Sequence, residues 1–428
     1  MSFGVDICLN PPPRPRLRVK PGAVRGRKGP LSYPAYRRVF TARAISSAGS
    51  FMQIVAATWY AYKITDNAAA VGVLAALALG PGMIGAPAGG FLLGYFDLRR
   101  LAVTLSLCQA VPPAAMAAVE ITGELSIGWM YVLVFAGAIP SSLNQPAMAM
   151  IEPQTVPQHL RQSAVALSSM IYNVTRLFGA ALGGFVVEWA GVAAAFAFNA
   201  ASFAVVAATV AGLHLDQDVA RPLARQVIRL TDGLKHVWSM PLVRTGAVAV
   251  AVFFTLVAPV EQLMPVVAKE HGMTPRSVGL LVGAIGVGAL LANSFIARFK
   301  PEDVRRQQLM ALGLLLAAVG LIGLAVTPHH GILIDLLGAL LIGLAWESEF
   351  VSGQSTVAIE VPPEYRGRLM GIFFLLVTAT TAGGAVLLGL LHEWMDMAWT
   401  FLFTAAVVAT AAVLLALRAR MRISPRGA

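Results

Sequence analysis

The chain has 428 residues, 57% of them hydrophobic and only 12% charged, with a mean hydropathy of +0.72 and a net charge of +11. Soluble domains carry about 25% charged residues, so most of this surface is solvated by something other than water. The positive charge gathers at the ends of apolar runs rather than in one patch, which makes it a topology signal and excludes nucleic acid as a partner.

Residues 1–35 are rich in Pro, Arg and Gly, as in Pro11-Pro12-Pro13-Arg14-Pro15-Arg16. They have too little apolar character to fold, so a disordered basic tail is predicted, without the apolar core and cleavage site of a secretory signal. Apolar segments of the ~20 residues that a bilayer crossing needs then run over 40–63, 70–96, 101–120, 127–151, 164–189 and 191–213. A polar linker, 215–244, interrupts them. Within it Val227, Leu230, Leu234, Val237 and Trp238 recur at helical spacing beside Arg225, Arg229 and Lys235, the pattern of an amphipathic helix at a membrane surface. Six more apolar segments follow at 245–268, 277–298, 308–327, 332–357, 369–391 and 397–417, before a basic tail at 418–428.

The predicted fold is all-α: a polytopic membrane protein with 12 transmembrane helices in two pseudo-symmetric six-helix bundles, 36–214 and 245–417. With that layout most of the 32 Lys and Arg residues fall on one side, and Lys63, Lys269 and Arg276 on the other. By the positive-inside rule both termini are cytoplasmic.

Two motifs recur at nearly one offset. Asp97-Leu98-Arg99-Arg100 and Asp303-Val304-Arg305-Arg306 are 206 residues apart. Val156-Pro157 with Arg161 and Val361-Pro362 with Arg366 are 205 apart. A shared shift at two sites points to a duplicated unit, a mark of secondary transporters whose substrate sites form near mid-membrane where the halves meet. Other classes find little support. Cys8 and Cys108 have no disulfide, zinc or redox spacing, and no GxxxxGK[ST] sequence supplies an ATPase motif. No nucleophile–base pair or metal cluster stands at recognisable spacing, so neither an enzyme nor a cofactor is expected. His329 and His330 before Asp335 read as solvated loop residues.

Duplicated halves of six spans with arginine-rich turns after the second and eighth resemble the major facilitator superfamily. The chain is most similar to its twelve-helix bacterial efflux branch, which includes macrolide-type and enterobactin-type exporters. The resemblance covers roughly residues 36–417 and is strongest from Val156-Pro157 through Ala164, Asn173-x-x-Arg176, Gly179, Gly183-Gly184, Gly191, Phe196 and Asn199-Ala200-x-Ser202-Phe203. The turn from Val361 to Arg368 matches the branch as well. The resemblance implies a conformational turn at Gly90, Asp97, Arg99 and Arg100, with Asp303, Arg305, Arg306 and Arg366 as its counterparts. Two positions depart from the family pattern. Gly94 and Tyr95 stand where the turn usually has Asp and Arg, and Gly49-Ser50 replaces a first-span Gly-Asp. The coupling acid must then lie elsewhere.

An ionisable side chain inside a membrane costs at least about 2.5–3.5 kcal/mol at a helix centre, so its default reading is functional. Arg176 lies about 18 Å into the fifth span at 1.5 Å per residue, near the midplane, with Asn173 and Tyr172 on the same face. That cluster suits an anionic or catecholate-like substrate, or a structural ion pair. Glu347 and Glu349, two apart on the tenth span, point in nearly opposite directions and cannot share a site. A carboxylate in low dielectric holds its proton more readily, which fits one of them, or Glu261 between Pro259 and Pro265, to proton coupling. The prolines are expected to bend that span. Gln53, Asn144, Gln145, Asn293, Gln354 and Ser355 are further polar candidates for the passage, each reading first as a helix-to-helix hydrogen bond.

The sequence therefore suggests a secondary transporter in a bacterial cytoplasmic membrane or an internal membrane derived from it. Its partners would be a small-molecule or ion substrate, protons and the lipid bilayer, and the leading expectation is proton-coupled export of an amphipathic drug or siderophore. Transport of iron, another metal or its chelate, as in magnetosome-like organelles, stays open. So does a non-transporting scaffold or sensor.

Overall fold

The computed structural model describes residues 29–213, 240–299, 303–326 and 332–423. The predicted tail up to residue 28, the amphipathic segment around 227–238 and the pair His329 and His330 lie outside the described residues. Helices alone form the described regular structure. In chain order these are α1 (Pro34–Thr65), α2 (Ala68–Leu79), α3 (Gly82–Leu92), α4 (Leu98–Ile121), α5 (Ile127–Gln154) and α6 (Arg161–Ala211). After the linker come α7 (Pro241–Leu256), α8 (Met264–Glu270), α9 (Pro275–Phe299), α10 (Asp303–Val326), α11 (Ile332–Glu360), α12 (Pro363–Trp394) and α13 (Met397–Ile423).

Local chemistry sets several boundaries. Asp66, in the left-handed region at φ 50°, ends α1, and the Asn67 side chain accepts from the Ala70 N–H at 2.7 Å to start α2. Asp97 caps α4 by accepting from the Arg100 N–H at 2.8 Å. The 51-residue α6 is two arms: Gly191 at φ 81° breaks it, a conformation open to glycine and strained for other residues. The expected bend near Pro259 is a full break. α7 stops at Leu256, a 3-10 turn spans Ala258–Glu261, and α8 restarts beside Pro265.

Nine stretches among the described residues are long and apolar enough to cross a bilayer. One of these holds both arms of α6. α1 and α11, of 32 and 29 residues, are long enough too, and carry charged side chains along their length. The outward surface is apolar, as lipid requires: Val111, Leu312 and Leu414 are each at least half exposed. Trp129, Trp189, Trp394 and Trp399 are exposed at helix ends on one side, like an interfacial aromatic belt. Arg99, Arg161, Arg306 and Arg366 cluster at the other side, the basic end.

The sequence repeat has a structural counterpart. Asp97 and Asp303 stand at the starts of α4 and α10, and Val156-Pro157 and Val361-Pro362 precede α6 and α12. Packing repeats with them: α4 lies on α5 and α6 as α10 lies on α11 and α13, and α1 lies on α6 as α7 lies on α12 and α13. Two seams join the sets, α2 with α12 and α6 with α9. Both need close backbone approach, since a Cβ on Gly72 would strike the Ala385 carbonyl and one on Gly279 the Ala180 carbonyl. At the basic end the sets part. Two small apolar clusters there, one around Val39, Leu98 and Ile151 and one around Tyr36 and Val156, draw only on residues of the N-terminal set.

Candidate translocation site

At the middle of the bundle, the first arm of α6 carries Arg176 toward the 3-10 turn after α7. The Nε of Arg176 donates to Glu261 Oε1 at 3.2 Å and an Nη donates to Oε2, a two-pronged pair. Both side chains are nearly sealed from solvent, at 3% and 7% exposure. The face of the Trp346 ring, from α11, lies 4.4 Å from the guanidinium carbon. Glu261 is the last residue of the 3-10 turn that follows the break after Leu256, and it is buried there against Arg176.

Tyr172, one turn before Arg176, is 56% exposed and leans edge-on against Phe51 at 5.5 Å. It feels the charges of Arg176, Glu261 and Glu347 together, so these four groups share one electrostatic neighbourhood. Arg176 pairs with Glu261, and Glu347 lies within electrostatic reach of the same guanidinium without an ion pair of its own among the described residues. Beyond Trp346 runs an aromatic chain: Phe254 at 5.4 Å, then Phe350, Phe373 and Phe374, the last of them 44% exposed. The four-residue spacing of Trp346 and Phe350 on α11 was a legible signal for this wall. The phenylalanines of α7 and α12 had none.

Other sequence candidates lie elsewhere. Gln53 accepts from the Asn199 amide and ties α1 to the second arm of α6. Asn173 and Gln354 are half-buried and make no hydrogen bond among the described residues. Glu349 faces away from the cluster: its carboxylate presses on Gly313 of α10, fully buried, and neither oxygen has a hydrogen-bond partner among the described residues. The arginines of the turns bind within their own half. Arg99 reaches the Leu213 carbonyl at 3.1 Å, capping α6, whereas Arg306 holds Glu360 at 2.9 Å and the Ser355 carbonyl at 3.3 Å. Arg366 donates to the Val361 carbonyl at 2.8 Å. Gly90 faces open space, and the Arg100 backbone N–H donates to Asp97, while its side chain has no hydrogen bond or ion pair among the described residues. The side chains of Asp303 and Arg305 lie outside the described residues. A cavity of about 600 Å³ between the basic ends of α1, α5 and α6, lined by Arg38, Thr41, Gln154 and Val205, is separate from the Arg176 cluster.

The end opposite the basic one holds a group of contacts that sequence reading passed over. Three consecutive residues at the end of α8 each grip a different helix. Lys269 binds Asp66, at the end of α1, at 2.6 Å, Glu270 binds His392 of α12 at 3.1 Å, and His271 binds Asp335 of α11 at 3.3 Å. Nearby, Glu393 accepts from the Ala68 N–H at 2.9 Å, and Glu188 accepts from Thr274 at 2.8 Å and from the Arg276 N–H at 3.2 Å. As a linear sequence the stretch looks like a solvated loop, and only the fold shows that it is a junction.

Comparison with known proteins agrees with this architecture. The family model described as transmembrane secretion effector matches residues 26–425. The uncharacterized MFS-type transporter YfiS of Bacillus subtilis is 25% identical, over 85% of this chain and 88% of its own. The multidrug efflux pump Tap of Mycobacterium tuberculosis is 23% identical, over 86% of this chain and 89% of its own. A crystal structure of a mutant of the nucleoside transporter NupG superposes with a TM-score of 0.72 at 12% identity, over 91% of this chain and 100% of that one. That likeness is one of fold. The chain belongs to the transmembrane secretion effector family of the major facilitator superfamily, a family of transporters and not of enzymes.

Proposed function

We propose that the protein is a proton-coupled exporter of small amphipathic cations, working by alternating access. In this reading the chain crosses the membrane twelve times, in bundles 36–214 and 245–417 joined by 215–244, and the positive-inside rule favours the cytoplasm for the basic end. The membrane is the bacterial cytoplasmic membrane. One observation carries the reading: a buried Arg176–Glu261 pair bridges the two sets of helices, leaving Glu347, beside Trp346 and Tyr172, without an ion pair of its own among the described residues. An anionic cargo, the reading that an isolated Arg176 suggested, is disfavoured because Glu261 already occupies the guanidinium.

The chemistry follows from competition. A carboxylate flanked by aromatic faces attracts an organic cation, and the same carboxylate takes a proton. Either ligand displaces the other, which is the requirement for exchange. The relative Tap is a multidrug efflux pump, which supports export and a drug-like cargo. Contacts across the seams far from the basic end, with separated apolar clusters at it, support a state open to the cytoplasm. The test is uptake of a lipophilic cationic dye into inverted membrane vesicles under an imposed pH gradient. Gradient-dependent uptake that Glu347→Gln abolishes, at unchanged protein level, is the expected result. Equal uptake by that variant removes Glu347 from the mechanism.

A further inference from the structure

The two seams finish alike at the outer end. Gly184-x-x-x-Glu188-Trp189 lies at the close of the first arm of α6, and Gly389-x-x-x-Glu393-Trp394 at the close of α12. They are 205 residues apart, the offset of Val156-Pro157 and Val361-Pro362. Both tryptophans are exposed, which places the two motifs at the outer interface.

Each motif meets the first turn of a helix from the other set. A Cβ on Gly184 would lie 2.7 Å from the Pro275 carbonyl at the start of α9, and one on Gly389 would lie 2.7 Å from the Ala68 carbonyl at the start of α2. Only hydrogen fits there, so each helix start comes within reach of the carboxylate one turn later. Glu188 accepts from the Arg276 N–H at 3.2 Å and from the Thr274 hydroxyl at 2.8 Å. Glu393 accepts from the Ala68 N–H at 2.9 Å. The first N–H groups of a helix have no partner within it and carry partial positive charge, so a carboxylate is a favoured cap. Caps usually come from the residue just before the helix, as Asn67 provides for Ala70. Arg276 and Ala68 receive theirs from the opposite set.

Bonds within one set survive any rocking of the sets against each other. The bonds of Glu188 and Glu393 do not, because parting the outer ends leaves two helix starts and two carboxylates to be hydrated separately. Lys269 with Asp66 is a further crossing contact at this end. The turn arginines Arg99, Arg306 and Arg366 at the basic end bind within their own half.

We propose that Glu188 and Glu393 are matched positioning residues of the transport cycle. Each caps a helix of the opposite set, and in nearly equal shares the two hold the outer mouth shut and set how readily it opens. The assignment rests on the alternating-access reading and makes no use of cargo or of the coupled ion.

The full chain with Cys8→Ser and Cys108→Ser, in lipid nanodiscs, would carry spin labels at Ile121→Cys and Val326→Cys. These exposed positions end α4 and α10 in opposite sets. Glu188→Ala and Glu393→Ala should each raise the ratio of longer to shorter distances about five-fold, the size of a typical helix cap. Independent caps multiply, so the double variant should show about twenty-five-fold. Glu188→Gln with Glu393→Gln keeps a neutral acceptor at each helix start, guards the fold, and should give a smaller rise in the same direction. A lowered Tm with unchanged distances would make the carboxylates merely structural and overturn the proposal. So would a rise in one single variant alone. Two populations in a ratio that ignores both carboxylates overturn the caps and leave alternating access standing. A single distance in every variant contradicts alternating access itself, and the caps with it.

Discussion

The two halves of this molecule share a packing scheme and divide their charge unequally. In the central layers α1–α6 contribute the cation Arg176, and α7–α13 contribute Glu261, Glu347 and Glu349 with the aromatic wall. Neither half could bury its charge in lipid alone at acceptable cost. The ion pair across the middle is thus a bond between halves, and it leaves Glu347 beside it and Glu349 farther off without an ion pair among the described residues. The two sets repeat one packing scheme, and the candidate site is built from positions at which they differ.

The largest break in that comparison comes from removing one member of the pair. Arg176→Leu or Glu261→Leu leaves an unpaired buried charge, which costs about 3–5 kcal/mol. Thermal unfolding in detergent should show a marked loss of Tm for each single variant. In the double variant most of it should return, without transport. Equal loss in all three would mean that the residues act independently.

A middle-sized effect concerns where the halves part. The α2–α12 seam pairs Gly72 with Ala385 and Gly389 with Ala68. Farther toward the basic end, past the point where a Cβ on Gly82 would meet Thr378, Gly90 of α3 and Gly371 of α12 both face open space. Gly90→Cys with Gly371→Cys should cross-link little here and readily once the cytoplasmic mouth shuts. Saturating cargo added from outside should raise the cross-linked fraction. A fraction that never changes contradicts rocking about this seam.

The smallest effect sharpens the division of labour among the acids. Glu349 is fully buried, with no hydrogen-bond partner among the described residues, and sits away from Arg176. An unsatisfied buried polar group costs about 1–3 kcal/mol, so Glu349→Met should leave flux intact and raise Tm slightly. Lost flux would make this acid part of the coupling path.

Much of this architecture was legible beforehand, and the reason is physical. Bilayer thickness fixes segment length, so the apolar runs and the break at Gly191 could be read directly. Helical geometry separated Glu347 from Glu349, and the structure places them on different faces. The partner of Arg176 was not legible. It lies 85 residues away in the other half, and nothing local in either segment encodes that contact. Lys269, Glu270 and His271 were passed over for a related reason: charged residues at a segment end look solvated until the fold brings Asp66, His392 and Asp335 to them. The turn at Gly94-Tyr95 remains a departure from the family pattern, and Phe91 packs on Tyr95 there at 4.8 Å.

The central claim is that one carboxylate, Glu347, holds either a proton or the cargo. Adding a lipophilic cation to the purified protein in weakly buffered detergent, and following pH, tests it without a membrane or a gradient. Proton release that saturates with binding, and is absent from Glu347→Gln, is what the account predicts. Undiminished release from that variant would contradict it.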